Sequence, residues 1–327
     1  MNFKLFHRKK NPNILYTEAL EALLQGNSDD AFEKLRELIR EDTENVRAYL
    51  RLGDIFRQRS QASQAIKIHR SLTFRRSLSV AMKIDIYTSL ALDYSEAGRF
   101  DRAEDSANRI LKFDKKNQWA LQFLIDNCER MKRWDIAPKY LKRLDKVTKH
   151  PNIRKHAYYF LMQGRDRDKD GLIKEAKRFY EKAKNQDESY ADPYFHLGNL
   201  EDKTGNLESA VSNWIVFAKK SSTGDKKIYD LIEKGLFKLG RFGEVEDFYN
   251  SLKDKDKKNT EAIAGLVNVL AAKGDFSNAI SMLDENISRD QESVILRLAK
   301  LKLELRKKKE DELSSQIDEI VSLMKGL

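Results

Sequence analysis

One small residue recurs along the chain at a nearly constant interval, and it lies five residues after a turn-forming residue in every case. The interval between successive positions is 34, 38, 34, 39, 34, 35 and 34 residues. The eight positions are Ala31, Ala65, Ala103, Ala137, Ala176, Ala210, Val245 and Ala279. Glycine takes the turn position in six units, while Ser60 and Lys132 take it in the other two. Because glycine readily adopts the left-handed conformation that ends a helix, the pattern predicts repeated helix–turn–helix units.

A helix–turn–helix unit of about 34 residues is typical of the tetratricopeptide repeat. The pairs Leu52-Gly53 and Leu197-Gly198 match the leucine–glycine pair in the first helix of that repeat. The chain therefore resembles the tetratricopeptide-repeat family, which implies an all-α fold, a right-handed α-solenoid of about eight to nine repeats. We expect a basic N-terminal tail at residues 1–11, eight repeats over 12–290, and a degenerate ninth repeat with capping helices over 291–327.

A narrower resemblance lies in the first half of the chain, at residues 49–72 and 90–105. These segments are similar to the lipopolysaccharide assembly protein B (LapB/YciM) family. The matching residues are Leu52, Gly53, Phe56, Arg57, Arg59, Ala65, Ile66, Ile68, His69, Asp93, Tyr94, Ala97, Gly98, Asp101, Arg102, Ala103 and Glu104. The resemblance implies a non-enzymatic adaptor that brings a lipid A pathway deacetylase to the membrane protease FtsH and so regulates lipopolysaccharide synthesis.

Two parts of that family have no counterpart in this sequence. Family members carry an N-terminal membrane helix and a C-terminal rubredoxin-like zinc module with paired cysteines. Here Cys128 is the single cysteine, and no run of about 20 apolar residues occurs. We therefore expect a LapB-like protein without these parts, in the reducing cytoplasm and, through the resemblance, at the cytoplasmic face of the inner membrane.

The net charge of +10 comes from 62 basic and 52 acidic residues that alternate along most of the chain. The exception is residues 1–10, where four basic residues alternate with Phe3, Leu5 and Phe6. This segment either contacts an anionic membrane surface or is a frayed terminus. Since no other basic stretch is free of acids, the sequence disfavours nucleic acid as a partner.

The sequence holds no pattern that predicts catalysis, a metal or a cofactor. The five histidines form neither H-x-x-H nor H-E-x-x-H, and no glycine-rich phosphate loop occurs. The segment RDRDKDG at 165–171 resembles the start of an EF-hand loop, but its twelfth position is Lys177 where a calcium loop needs glutamate. Gly171 instead fits the turn position of the fifth repeat, which predicts that Asp166 and Asp168 end a helix.

The first helices of such repeats line a concave surface that binds partners. Register projects two groups of partner-binding candidates from the first half of the chain. They are Asp54, Arg57 and Gln58, with Arg59 just beyond, and Trp119, Gln122, Asp126 and Arg130. Trp119 is either an exposed anchor for a partner or a residue buried against the next unit. His69 lies on a second helix and either packs in the core or contacts a partner.

A second candidate surface lies in the second half of the chain. The pairs Asn199/Lys203 and Lys234/Lys238 each share one helical face, since their members are four residues apart. Together with Asn268 they could form a groove that takes an acidic peptide or a C-terminal carboxylate. The alternative is that these lysines simply belong to a solvated surface. The groove would make the chain a generic repeat adaptor, the alternative to the LapB-like role.

Overall fold

The computed structural model describes residues 11–221, 226–306, 317, 320–322 and 324. Within 11–306, apart from 222–225, all regular secondary structure is α-helix, which confirms the predicted all-α fold. The basic segment 1–10 lies outside the described residues, as does most of 307–327, where the last capping helix was expected.

The helices fall into two compact units, residues 1–152 and 153–327. The boundary lies in the longer connection that the step of 39 residues predicts. The first unit contains α1 (Pro12–Leu24), α2 (Ser28–Glu41), α3 (Val46–Gln58), α4 (Ala62–Leu72), α5 (Val80–Glu96), α6 (Phe100–Phe113), α7 (Gln118–Arg130) and α8 (Ala137–Thr148). The second contains α9 (Ile153–Lys169), α10 (Ile173–Gln186), α11 (Asp192–Lys203), α12 (Leu207–Lys220), α13 (Lys226–Lys238), α14 (Gly243–Lys255), α15 (Thr260–Ala272), α16 (Phe276–Arg289) and α17 (Val294–Arg306).

Consecutive helices pair as the repeat register predicts, so that α1 to α16 form eight helix–turn–helix units and the predicted tetratricopeptide-repeat solenoid is confirmed. Most second helices also pack against the first helix of the next repeat, as α4 does against α5 and α6 against α7. The helix α17 packs on both α15 and α16. That residues 291–327 as a whole form a degenerate capping repeat stays a prediction.

The recurring small residues are buried at the start of the second helix of each repeat. All eight are almost completely excluded from solvent, from Ala31 in α2 to Ala279 in α16. A methyl group at this position lets the helices approach, while larger apolar side chains one or two turns later fill the space around it. Leu35 and Leu38 do so in the first repeat, where both are fully buried.

The turn between paired helices has one backbone conformation throughout the eight repeats. The six turn glycines have φ between +69° and +84°. Ser60 and Lys132 adopt the same left-handed region, with φ of 58° and 54°. The residue after the turn donates its N–H to the carbonyl five residues earlier, as Arg133 does to Cys128 at 2.8 Å. This is the bond pattern of a Schellman C-cap, so the conformation is required even where glycine is absent.

We expect Lys132→Gly to raise the free energy of unfolding by about 1 kcal/mol, because an L-residue with a side chain pays about 1–2 kcal/mol in the left-handed region. Lys142→Gly, at an exposed position inside α8, is the matched control and should lower stability by about 1 kcal/mol. The urea midpoints of the two variants, compared with that of the wild type, would show whether each change raises or lowers stability. A lower midpoint for Lys132→Gly would contradict the proposed turn constraint.

Candidate partner-binding site

The helices α3, α5 and α7 of the first unit together line a cavity of about 610 Å³. We call it the aromatic cavity, because Trp119 and Phe123 stack in it with ring centroids 5.1 Å apart. Trp119 is 38% exposed, so part of this residue remains accessible to solvent. The other lining residues are Arg57, Gln58, Ser60, Leu92, Ser95, Glu96, Gln122, Asp126, Asn127 and Arg130.

Charges of both signs are fixed around the aromatic pair. Arg130 donates from Nη1 to the hydroxyl of Ser95 at 2.9 Å, and Gln122 donates to the carboxylate of Asp126 at 2.7 Å. Side chains held by such bonds lose less conformational entropy when a ligand binds. The cavity thus offers an apolar ring surface beside preoriented polar groups.

A second cavity of about 480 Å³ adjoins the aromatic cavity, since Arg57 and Leu92 line both. Its charged lining consists of Arg47, Arg51, Asp54, Arg57 and Asp85, and Tyr16 of α1 closes one side. The carboxylate of Asp54 accepts hydrogen bonds from both Arg51, at 3.0 Å, and Arg57, at 2.8 Å. The first-helix side of this unit therefore forms a continuous polar and aromatic surface.

Arg57 is held in place by a buried carboxylate behind the cavities. Asp93 of α5 is completely buried, and its two oxygens face different partners: Oδ1 accepts from Nη1 of Arg57 at 2.9 Å, and Oδ2 lies 2.5 Å from Nδ1 of His69. The other ring nitrogen of His69 lies 3.0 Å from the carbonyl of Leu50. A carbonyl can only accept, so Nε2 carries a proton. Both ring nitrogens thus lie within hydrogen-bond distance of an oxygen inside the fold.

His69 occupies a position where other repeats also place a ring against the first helix. A Cβ added at Gly53 would lie 2.3 Å from Nε2 of His69, so only glycine fits under that imidazole. Tyr180 covers Gly164 and Trp214 covers Gly198 in the same way, sixteen residues along in each case. The ring tip then needs a polar acceptor, and in the second repeat Asp93 and Leu50 supply it.

We expect Asp93→Asn to lower the free energy of unfolding by about 3 kcal/mol or more, because it removes one partner of a buried charged cluster and leaves Arg57 and His69 facing a neutral group. Asp85→Asn, at an exposed position on the same helix, should change stability by less than about 0.5 kcal/mol. Chemical denaturation of both variants measures the difference. Equal midpoints would show that the cluster does not stabilise the fold.

The structure places seven sequence-predicted site residues of the first half on one connected surface: Asp54, Arg57, Gln58, Trp119, Gln122, Asp126 and Arg130. It places His69 and Arg59 elsewhere. His69 is fully buried, which supports the interpretation that it packs in the core. A partner could not contact its side chain in this structure. Arg59 turns back to α2, where it donates to Asp29 and to the carbonyl of Ser28, and its guanidinium lies over the ring of Phe32.

The predicted groove of the second half is only partly available. Asn199 accepts a hydrogen bond from Nε1 of Trp214 at 3.0 Å, and Lys203 pairs with Asp168 at 3.1 Å, so both already have partners within the fold. Lys234 and Lys238 are exposed on α13. Asn268 lines a cavity of about 200 Å³ whose charged residues are Asp230, Glu233 and Glu261 together with Lys226 and Lys302. This lining has no basic excess that would attract a carboxylate.

Sequence reasoning missed the contribution of α5 to the aromatic cavity, namely Leu92, Ser95 and Glu96. The signal was present, because Ser95 lies eight residues before Ala103, as Arg57 lies eight residues before Ala65. The same register rule that projected Arg57 would have found Ser95. The step of 38 residues before the third repeat obscured this correspondence.

The described residues contain no cluster of three or more His, Cys, Asp or Glu side chains that could hold a metal ion. Asp166 and Asp168 lie in the last turn of α9, and Gly171 has φ of +76°, as the repeat register predicts. Cys128 is fully buried, and burial raises the pKa of its thiol to about 11, which leaves it an unreactive core residue at neutral pH. Within the same described ranges, no helix combines the length and apolarity that crossing a bilayer requires.

Comparisons with known proteins find a repeat-family model that matches part of the chain and curated relatives of low identity. A tetratricopeptide-repeat family model matches residues 16–72. Lipopolysaccharide assembly protein B of Escherichia coli (strain K12) is 25% identical over 252 residues, which cover 77% of this chain and 64% of that protein. The protein of the same name from Haemophilus influenzae is 24% identical over 204 residues, covering 60% of this chain and 51% of the relative. The chain thus spans between half and two thirds of the length of these relatives.

Solved structures with similar coordinates include a tetratricopeptide-repeat protein from Parabacteroides merdae, which is 15% identical, with a TM-score of 0.39 over 79% of this chain and 98% of that one. A structure of Naa15/Naa10 bound to HypK-THB has 13% identity and a TM-score of 0.45 over 97% of this chain and 47% of that one. The repeat register, the paired helices and the family match together identify the chain as a tetratricopeptide-repeat protein that resembles lipopolysaccharide assembly protein B.

Proposed function

We propose that this protein is a LapB-like adaptor that regulates lipopolysaccharide synthesis by bringing a lipid A pathway deacetylase to a membrane protease. The supporting observation is the position of the family-matching segment in the fold. Arg57, His69 and Asp93 all belong to that segment, and they form the buried cluster that positions Arg57 in the wall of the aromatic cavity. One residue that carries the resemblance, Arg57, therefore lines the candidate binding surface, and two others hold it in place from behind.

The chemistry of the aromatic cavity suits a protein segment as ligand. The partly exposed Trp119 offers apolar aromatic surface, and residues of this type are enriched among those that dominate binding energy. Arg57 and Arg130 stand beside it with Glu96 and Asp126, so the charge of the lining is balanced. We infer a partner segment that inserts an apolar or aromatic side chain against Trp119 and pairs polar groups at the rim.

The adaptor role is tested by affinity purification from an extract of the native organism with the full chain as bait. We expect both a lipid A pathway deacetylase and a membrane protease among the retained proteins. Retention of other proteins, with neither of these enzymes among them, would contradict the LapB-like role. The chain would then be a generic repeat adaptor, and loss of peptide binding in Lys234→Glu/Lys238→Glu would point to its lysine face.

The site within the adaptor is tested by Trp119→Ala. We expect this change to weaken retention of the partner about 30-fold, which corresponds to a loss of about 2 kcal/mol for a central aromatic anchor. Phe74→Ala is the matched control, because Phe74 is 76% exposed in the same unit but does not line the cavity. Titrations of each variant with the partner give the ratio of their dissociation constants to that of the wild type. Equal affinities for the two would place the binding site away from the aromatic cavity.

A further inference from the structure

A third cavity of the first unit has a different character from the aromatic cavity. It is lined by α4, α5 and α6, has a volume of about 460 Å³, and carries four basic side chains against one acidic side chain. The basic residues are Arg70, Arg102, Arg109 and Lys112, and the acid is Asp105. Arg102, Arg109 and Lys112 fall at spacings of seven and three residues on α6, which puts them on one helical face.

These basic groups have no partner to neutralise them among the described residues. No hydrogen bond or ion pair within the described part of the chain engages the guanidinium groups of Arg70, Arg102 and Arg109 or the amine of Lys112. The neighbouring Arg133 shows the contrast, since it pairs with both Asp101 and Glu104. Unpaired positive charges that share a concave surface raise the local concentration of anions.

The basic excess is not a property of the repeat itself, because the second unit contains an equivalent cavity with balanced charge. That cavity is lined by α14, α15 and α16 and has a volume of about 520 Å³. Its charged residues are Glu246, Asp254 and Glu285 on one side and Lys253, Lys257 and Arg289 on the other. The basic excess of the first cavity therefore comes from the residues at these particular positions and not from the repeat pattern.

Position by position, the basic residues of the first cavity are replaced in the second. Counted from the buried small residue of each repeat, Arg70 corresponds to Asn250 and Arg102 to Asn278. Arg109 corresponds to Glu285, which pairs with Arg289 at 2.5 Å. The positions in the repeat are the same in both units, while the charges at those positions differ.

We propose that the cavity between α4, α5 and α6 binds a phosphate group, carried either by a lipid headgroup or by a soluble phosphorylated compound. The guanidinium groups of Arg102 and Arg109 can each donate two parallel hydrogen bonds to phosphate oxygens. Arg70 supplies charge from α4, and Tyr94 presents a phenol in the lining that can donate to an oxygen of the ligand. Such a site is separate from the aromatic cavity and leaves it free for a protein partner.

The site is tested by titrating the full chain with inorganic pyrophosphate in a calorimeter at constant ionic strength, since screening weakens unspecific attraction to exposed charges. We expect one saturable site whose affinity falls at least tenfold in Arg102→Gln/Arg109→Gln. Both arginines are exposed, so the variant should keep the helical circular dichroism of the wild type. Lys253→Gln/Lys257→Gln removes the same charge from the equivalent cavity and should bind within twofold of the wild type.

Two further measurements identify the source of the phosphate. Flotation with phosphatidic acid vesicles that is lost in the arginine variant would assign a lipid headgroup. Binding of glucose 1-phosphate without flotation would assign a soluble ligand. Absence of saturable pyrophosphate binding, or equal losses in the arginine and lysine variants, would overturn the proposal.

Discussion

The close approach of two helices at one small buried residue is the contact on which this fold depends. It recurs eight times, and at each recurrence the turn before it takes the left-handed conformation, with or without glycine. The turn sets the direction of the second helix, and the small residue sets its distance from the first. Because each repeat satisfies both conditions locally, the long chain can fold without distant parts of the sequence meeting, as is general for solenoids.

The second repeat uses this frame to hold a polar cluster beside its apolar core. Where most other repeats place leucine, tyrosine or tryptophan, His69 covers Gly53 and turns its two nitrogens to Asp93 and to the carbonyl of Leu50. Asp93 then binds Arg57 with its other oxygen. A buried charge must be paired to be tolerated, so the cluster fixes Arg57 at the cavity wall as a condition of folding. Stability and the shape of the binding surface are linked through this carboxylate.

Sequence periodicity predicted the features that depend on local spacing. It predicted the helix pairs, the turn glycines and the placement of Asp166 and Asp168 in a helix end, where a motif search alone indicated a calcium loop. It failed where a side chain reaches another helix. The bond from Trp214 to Asn199 and the contacts of Arg59 with Asp29 and Phe32 depend on distances between helices, which register does not supply. Register projects which residues share a face, but not which of them are already bonded.

In this molecule the residues that line each cavity determine its charge, while the repeat fold only determines where those residues lie. The repeat constrains the small residue, the turn and the apolar face, and it leaves the groove between successive second helices free to vary. Arg109 and Glu285 occupy equivalent places in two such grooves, one of which has four basic residues against one acid and the other equal numbers of both. This difference in charge does not affect the packing of the core, because these side chains lie outside it. Charge that the fold does not require, and that no residue in the described part of the chain neutralises, is the observation on which the proposed phosphate site rests.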